Sequence, residues 1–164
     1  MNASSQLIDF LKNSEGLSLK PYKDDKIGTP NIEYSIGFGH QIKPGEEYLM
    51  NGISKAKAVE LLTSDLAVMS NTVNSHISVG LQQNQFDSLV HFVYNTGPQA
   101  FIDSTLLKKI NAKADDSIIA SEFRRWVYGE KNGVRVVIPS LVKRREDEIK
   151  IWMGSFPFYV KKKW

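Results

Sequence analysis

No cysteine occurs among the 164 residues, which excludes disulfides and thiolate metal sites and leaves the redox compartment open. Histidine is scarce. His40, His76 and His91 have neither cysteine nor an acid at ligand spacing beside them, so no metal and no cofactor is expected. Charge of one sign is also nearly lacking. The net excess is only +3, grouped at Lys143–Arg145 and Lys161–Lys163, a solvated face rather than the concentrated basic patch that nucleic acid demands. Nucleic acid is therefore not expected as a partner. The N-terminal MNASSQLIDFLKNSEG has no basic stretch followed by an apolar run, so neither a secretory signal nor an anchor is read there. Synthesis in the cytoplasm is expected, without stable membrane insertion, and action beyond the membrane needs help to cross it. Repeats and low-complexity segments are absent too.

What is present is an ordinary globule. With 41% hydrophobic and 24% charged residues, the chain falls outside the disordered and membrane classes. Its length suits one domain, or two lobes sharing a long element.

The stretch Glu15 to His40, EGLSLKPYKDDKIGTPNIEYSIGFGH, carries the chemistry. Leu7, Ile8 and Leu11 repeat at helical spacing behind a capping Ser4 or Ser5, and that helix should stop near Gly16. Glu15 then lies on the last turn, where the negative end of the helix dipole favours the neutral acid that a proton donor must be; alternatively it is a solvated glutamate beside a capping glycine. Leu17, Leu19 and Pro21 alternate with polar residues as in a half-buried strand. Asp24 closes that strand, either as a turn acid or as a functional one. Glu33 to Phe38 is strand again, so a hairpin would carry Asp24 and Ser35 on its inner face. An acid, a second acid after eight intervening residues and a strand hydroxyl suit glycosidic hydrolysis. One carboxyl donates to the leaving oxygen while another stays ionised on the opposite face of the sugar.

Beyond it, Ser54 opens the longest helical pattern, to about Ser75, with Ala58, Leu61, Leu62, Leu66, Met69 and Val73 on one side. A helix of roughly 20 residues spans about 30 Å, enough to bridge two lobes. Gln83 to Tyr94 is the most hydrophobic helical segment, ended by Thr96-Gly97-Pro98. Shorter helices are predicted over 104–110 and 116–127, then turn residues at 128–133 with a hairpin partner at Val134 to Ile138, then a last helix from Pro139 to about Met153. Tyr94 reads as a core aromatic and Ser104 as a helix cap.

Glu-Gly-Leu at 15–17, the eight-residue gap from Glu15 to Asp24, and Tyr-Ser-Ile-Gly-Phe-Gly-His at 34–40 together resemble the active-site signature of phage-type lysozymes, glycoside hydrolase family 24. Gln83-Asn84-Gln85-Phe86-Asp87-Ser88-Leu89-Val90, Tyr94-Asn95-Thr96-Gly97, Phe101 with Ser104-Thr105-Leu106-Leu107, and Leu141-Val142-Lys143-Arg144-Arg145-Glu146 resemble it in the same order. The likeness spans about residues 5 to 154. Two departures stand out. Ser35 replaces the family's usual threonine, keeping the hydroxyl but losing the methyl group that stiffens the rotamer. The path from Asp24 to it is also longer, so Asp25 to Glu33 reads as an enlarged loop at the cleft mouth.

The resemblance implies an α+β, mainly α, lysozyme-like fold. A small antiparallel sheet lobe at about 16–53 and a larger helical lobe at about 54–154, with the N-terminal helix, would be joined by the long helix into a single catalytic domain, 1–154. Residues 155–164 would be a packed tail or a contact to an anionic surface. It also implies a muramidase cleaving the β-1,4 bond between N-acetylmuramic acid and N-acetylglucosamine of peptidoglycan, a phage endolysin in host lysis. Its roles would be Glu15 as acid, Asp24 and Ser35 on the water, Tyr94 and Ser104 against the substrate, Arg144 beside the acid, and His40 paired with Asp65. A monomer is the expected state for a cleft enzyme on a polymer. The rival reading is a wall-binding module of the same fold with impaired catalysis.

Overall fold

A computed structural model describes residues 1–24 and 33–157, at Asp24 and Glu33 for the backbone only. The enlarged loop expected after Asp24 and most of the tail expected from 155 lie outside the described residues. The chain is α+β and mainly helical, and it groups into two compact units. One holds Ile8–Asp65; the other holds Met1–Leu7 with the chain from Leu66 through the last helix. The division falls within the first helix and within the long one. No helix among the described residues is long and apolar enough to cross a membrane.

Helix α1 (Ser5–Ser14) starts where Ser4 Oγ accepts the Leu7 N–H at 3.1 Å, the N-cap bond expected of serine. It buries Leu7, Phe10 and Leu11, its i, i+3, i+4 stripe. Gly16 does not adopt the left-handed conformation, so the helix ends without a glycine cap. Strands β1 (Ser18–Asp24), β2 (Glu33–Gly37) and β3 (His40–Gln41) form an antiparallel sheet in that order. Tyr22 pairs with Ser35 and Asp24 with Glu33. Beneath it, Ile36, Leu49 and Leu61 are buried together, with Ile42 and Ile53 packed on them. Gly52 is a required glycine: its φ is 91°, and a Cβ there would stand 3.1 Å from the Leu19 carbonyl oxygen, which the next residue's N–H already holds at 2.9 Å. A short 3₁₀ segment, Glu47–Asn51, leads to α2 (Lys55–His76), capped by Ser54 Oγ on the Lys57 N–H at 3.1 Å.

The other unit is built around α3 (Gln83–Thr96), in which every residue from Phe86 to Val93 is buried. A helix apolar on one side only cannot do that; here Asp87, Ser88 and His91 are buried as well, each hydrogen-bonded. Phe92 meets Phe101, Phe123 and Trp126 edge-on, with ring centroids 6.3, 5.5 and 5.3 Å away. Around it pack α4 (Pro98–Ile102), α5 (Thr105–Asn111), α6 (Asp116–Arg124) and α7 (Pro139–Trp152). Helix α4 is absent from the sequence reading because five residues are too few to show a period. Helix α6 ends before Val127, since the N–H groups of Arg125 and Trp126 reach back three residues, to Glu122 and Phe123, tightening the last turn. Between α6 and α7, β4 (Tyr128–Lys131) and β5 (Val134–Val137) form a hairpin. Asn132 and Gly133 both have positive φ, 53° and 76°, as a two-residue Asn-Gly hairpin turn requires.

Candidate active site

Glu15 follows the last residue of α1. Its N–H closes the final helical turn onto the Leu11 carbonyl at 2.8 Å, and the residue is half-buried. In the sheet, Ser35 faces Tyr22 directly and Asp24 stands two residues beyond Tyr22, so register positions 24 and 35 share a face. Ser35 has no solvent exposure. Glu15, Asp24 and Ser35 all belong to the same compact unit.

His40 of that unit is held at both ring nitrogens. Its Nδ1 lies 3.0 and 2.9 Å from the two carboxylate oxygens of Asp65, and its Nε2 lies 2.9 Å from Glu46 Oε2. A carboxylate at each nitrogen requires both to donate, which describes an imidazolium. The Asp65 hydrogen bond, opposed by burial and aided by Glu46, holds the His40 pKa above its ordinary value. Glu46 is held below the usual range, first by the Lys43 N–H and then, against burial, by His40. Glu46 escaped the sequence reading; the only local signal for it is the turn Lys43-Pro44-Gly45 just before.

The linkage has a definite sign. A raised histidine contributes stability in full below its unfolded pKa, near 6.5, and loses it as pH rises through the folded value; the lowered Glu46 contributes above its ordinary 4.5 and loses it in more acid solution. Stability against urea is therefore expected to be highest between about pH 4.5 and 6.5. In His40→Gln the decline above pH 6.5 should flatten. An unchanged slope in that variant would contradict the assignment.

The other unit contains Tyr94, Ser104 and Arg144. Tyr94 and Arg144 are half-buried. Ser104 is 4% exposed and caps α5: its Oγ accepts from the Leu107 N–H at 3.0 Å and donates to the Phe101 carbonyl at 2.6 Å. Both bonds are internal, so the cap accounts for this serine. Arg145, the neighbour of Arg144, is the buried member of the pair. It is 1% exposed and reaches Asn95 Oδ1 at 2.6 Å and Glu148 Oε1 at 2.8 Å. Its Nε also approaches Glu148 Oε2 at 2.7 Å, in an orientation that makes a charge contact without a hydrogen bond. Burial pulls the Arg145 pKa down, and Glu148 opposes it. His91 Nδ1 meets the same Glu148 at 2.8 Å. Arg145 and Glu148 stand one turn apart on α7; His91 and Asn95 join them from α3.

Beside the cluster a groove of about 1010 Å³ opens in the same unit, lined among others by Arg125, Trp126, Tyr128, Gly129, Glu130 and Arg135.

Residues 12–148 match the family model described as phage lysozyme. The chain is 35% identical over 150 residues to the endolysin of Acyrthosiphon pisum secondary endosymbiont phage 1, covering 90% of this chain and 95% of that protein. Among solved structures, the endolysin from Escherichia coli O157:H7 phage FAHEc1 matches at a TM-score of 0.82 and 32% identity, over 96% of this chain and 98% of that one. The muramidase domain of SpmX from Asticaccaulis excentricus matches at 0.78 and 27% identity, over 93% and 97%.

Proposed function

Since this chain belongs to the phage lysozyme family and is by that kinship a peptidoglycan-cleaving muramidase, we propose how its residues divide the work of cutting the β-1,4 bond between N-acetylmuramic acid and N-acetylglucosamine. Glu15, protonated, donates to the leaving oxygen. Asp24 stays ionised on the far face of the sugar and, with Ser35, directs a water onto the anomeric carbon. The reaction inverts the anomeric centre, which requires the two carboxyl groups to stand about 6.5–9.5 Å apart rather than the 5–5.5 Å of a retaining pair. Arg144 orients the acid, Tyr94 offers an aromatic face to a sugar ring, and Ser104 acts by fixing the start of α5. His40, Asp65 and Glu46 stabilise the sheet. The enzyme is made in the cytoplasm as a monomer and reaches the wall on release during host lysis.

The observation that carries this reading is the family match across residues 12–148, which takes in Glu15, Asp24 and Ser35 together. Digestion of purified peptidoglycan tests it. Mass spectrometry should find new reducing muramic-acid ends, and proton NMR of the first-formed product should find the α-anomer. The β-anomer would mean retention and reassign Asp24 as nucleophile. Ser35→Ala should lose roughly tenfold in kcat, the worth of about one hydrogen bond in the transition state. A folded wild type that binds the wall without cleaving it would make the protein a wall-binding module.

A further inference from the structure

The chain has two Asn-Gly dipeptides, at 51–52 and 132–133. An asparagine followed by glycine is open to attack on its own side chain, because the next backbone nitrogen has no Cβ beside it to obstruct the approach. The fold holds these two dipeptides in opposite ways.

Asn51 ends the 3₁₀ segment, and the Gly52 N–H donates to the Leu49 carbonyl at 3.0 Å. Gly52 is also tightly packed, with the Leu19 carbonyl oxygen 3.1 Å from where a Cβ would stand. Attack by the Gly52 nitrogen would first have to break that hydrogen bond and turn the backbone against its neighbours. Asn132 and Gly133 form the tip of the β4–β5 hairpin, and both are exposed. Lys131 and Val134 pair across the two-residue turn, which leaves the groups between them outside the ladder. Among the described residues, neither the Gly133 N–H nor the Asn132 side-chain amide has a hydrogen-bond partner. A Cβ built on Gly133 would meet nothing within 4 Å, so the turn has room to move.

We propose that Asn132 is a modification site of the folded protein, converting spontaneously to isoaspartate and aspartate and loosening the hairpin, while the fold preserves Asn51. The Gly133 nitrogen bonds to the side-chain carbonyl carbon of Asn132. The bond from that carbon to its amide nitrogen breaks, and the amide nitrogen leaves as ammonia with the proton that Gly133 gave up. Water then opens the cyclic imide. Opening at the backbone carbonyl carries the chain through the side-chain carbon and gives isoaspartate; opening at the other carbonyl gives aspartate. Isoaspartate adds a methylene to the main chain inside a turn built for two residues of positive φ, and a carboxylate replaces a neutral amide. The pairing of Lys131 with Val134 is lost with that geometry. Tyr128, Gly129 and Glu130 of the same hairpin line the groove, so its rim loosens as the protein ages.

Peptide mass spectrometry of the full chain, incubated folded in mildly alkaline buffer, tests this directly. Residue 132 should gain an acid about tenfold or more faster than residue 51, the weight of opening one backbone hydrogen bond. In urea-unfolded chain the two sites should convert at similar rates, since the fold alone separates them. Methyl transfer by an isoaspartyl methyltransferase should label the peptide containing residue 132, and hydrogen exchange at the Val134 amide should quicken in the converted protein. An intact Asn132 in the folded chain, equal conversion at both sites in the folded chain, a difference that persists in urea, or unchanged exchange at Val134 in the isoaspartyl form each overturn the proposal.

Discussion

Glu15→Gln is expected to lose between about 10² and 10⁴ in kcat on peptidoglycan while remaining folded, because an amide keeps the shape of the carboxyl group but has no acidic proton to give. The loss should fall on kcat with KM little changed, as when an interaction made only in the transition state is removed. Folding should survive, since glutamine has the shape of glutamate and retains the backbone bond from the residue-15 N–H to the Leu11 carbonyl. Turbidity clearing beside a thermal melt separates the two effects. A variant within tenfold of wild type would remove Glu15 as the proton donor. A variant that is inactive but also unfolded would leave glutamate at 15 with a structural role and send the search for the acid elsewhere.

Glu148→Ala should be the most damaging substitution to stability. Its carboxylate has no solvent exposure and serves Arg145 and His91 at once. Removing it leaves the Arg145 guanidinium, 1% exposed, buried beside Asn95 and over the Phe92 ring without its counter-charge. Breaking a buried pair from one side costs about 3–5 kcal/mol, which for a chain of this length lowers the melting temperature by on the order of 10 °C. Replacing both partners, Arg145→Met with Glu148→Leu, should recover much of that loss, because two charges no longer have to be desolvated. Urea unfolding of the singles and the double forms a cycle with a coupling of at least about 1 kcal/mol. Independent, additive effects would mean that the pair is not the reason for the burial.

Local features were legible in the residues themselves. The apolar spacings of α2 and α3 and the serine caps at 4, 54 and 104 each depend on bonds spanning four residues or fewer, and a linear pattern shows them directly. Glu15, Asp24 and Ser35 stood out for a related reason: they occupy one short stretch in which a helix end, a strand end and a strand centre follow one another. Even here the reading had limits. Gly16 suggested a left-handed helix end that the backbone does not use, and α4 was too short to show a period.

The remaining assignments depended on residues brought together from far apart. His40 was expected to meet Asp65, but its second carboxylate, Glu46, is held there by the turn at Lys43 that it caps. Arg144 and Arg145 are neighbours of identical chemistry. Which one is buried depends on where α7 lies against α3, and the answer, Arg145, puts Glu148 on His91 across 57 residues. The hairpin register likewise decides which residues of β4 stand opposite which residues of β5. The chain alone determined which groups could carry charge, donate protons or cap a helix, since these are properties of single residues and their near neighbours. Tertiary packing decided which of them lose water and against whom, because desolvation and charge pairing depend on distances that the sequence order does not contain.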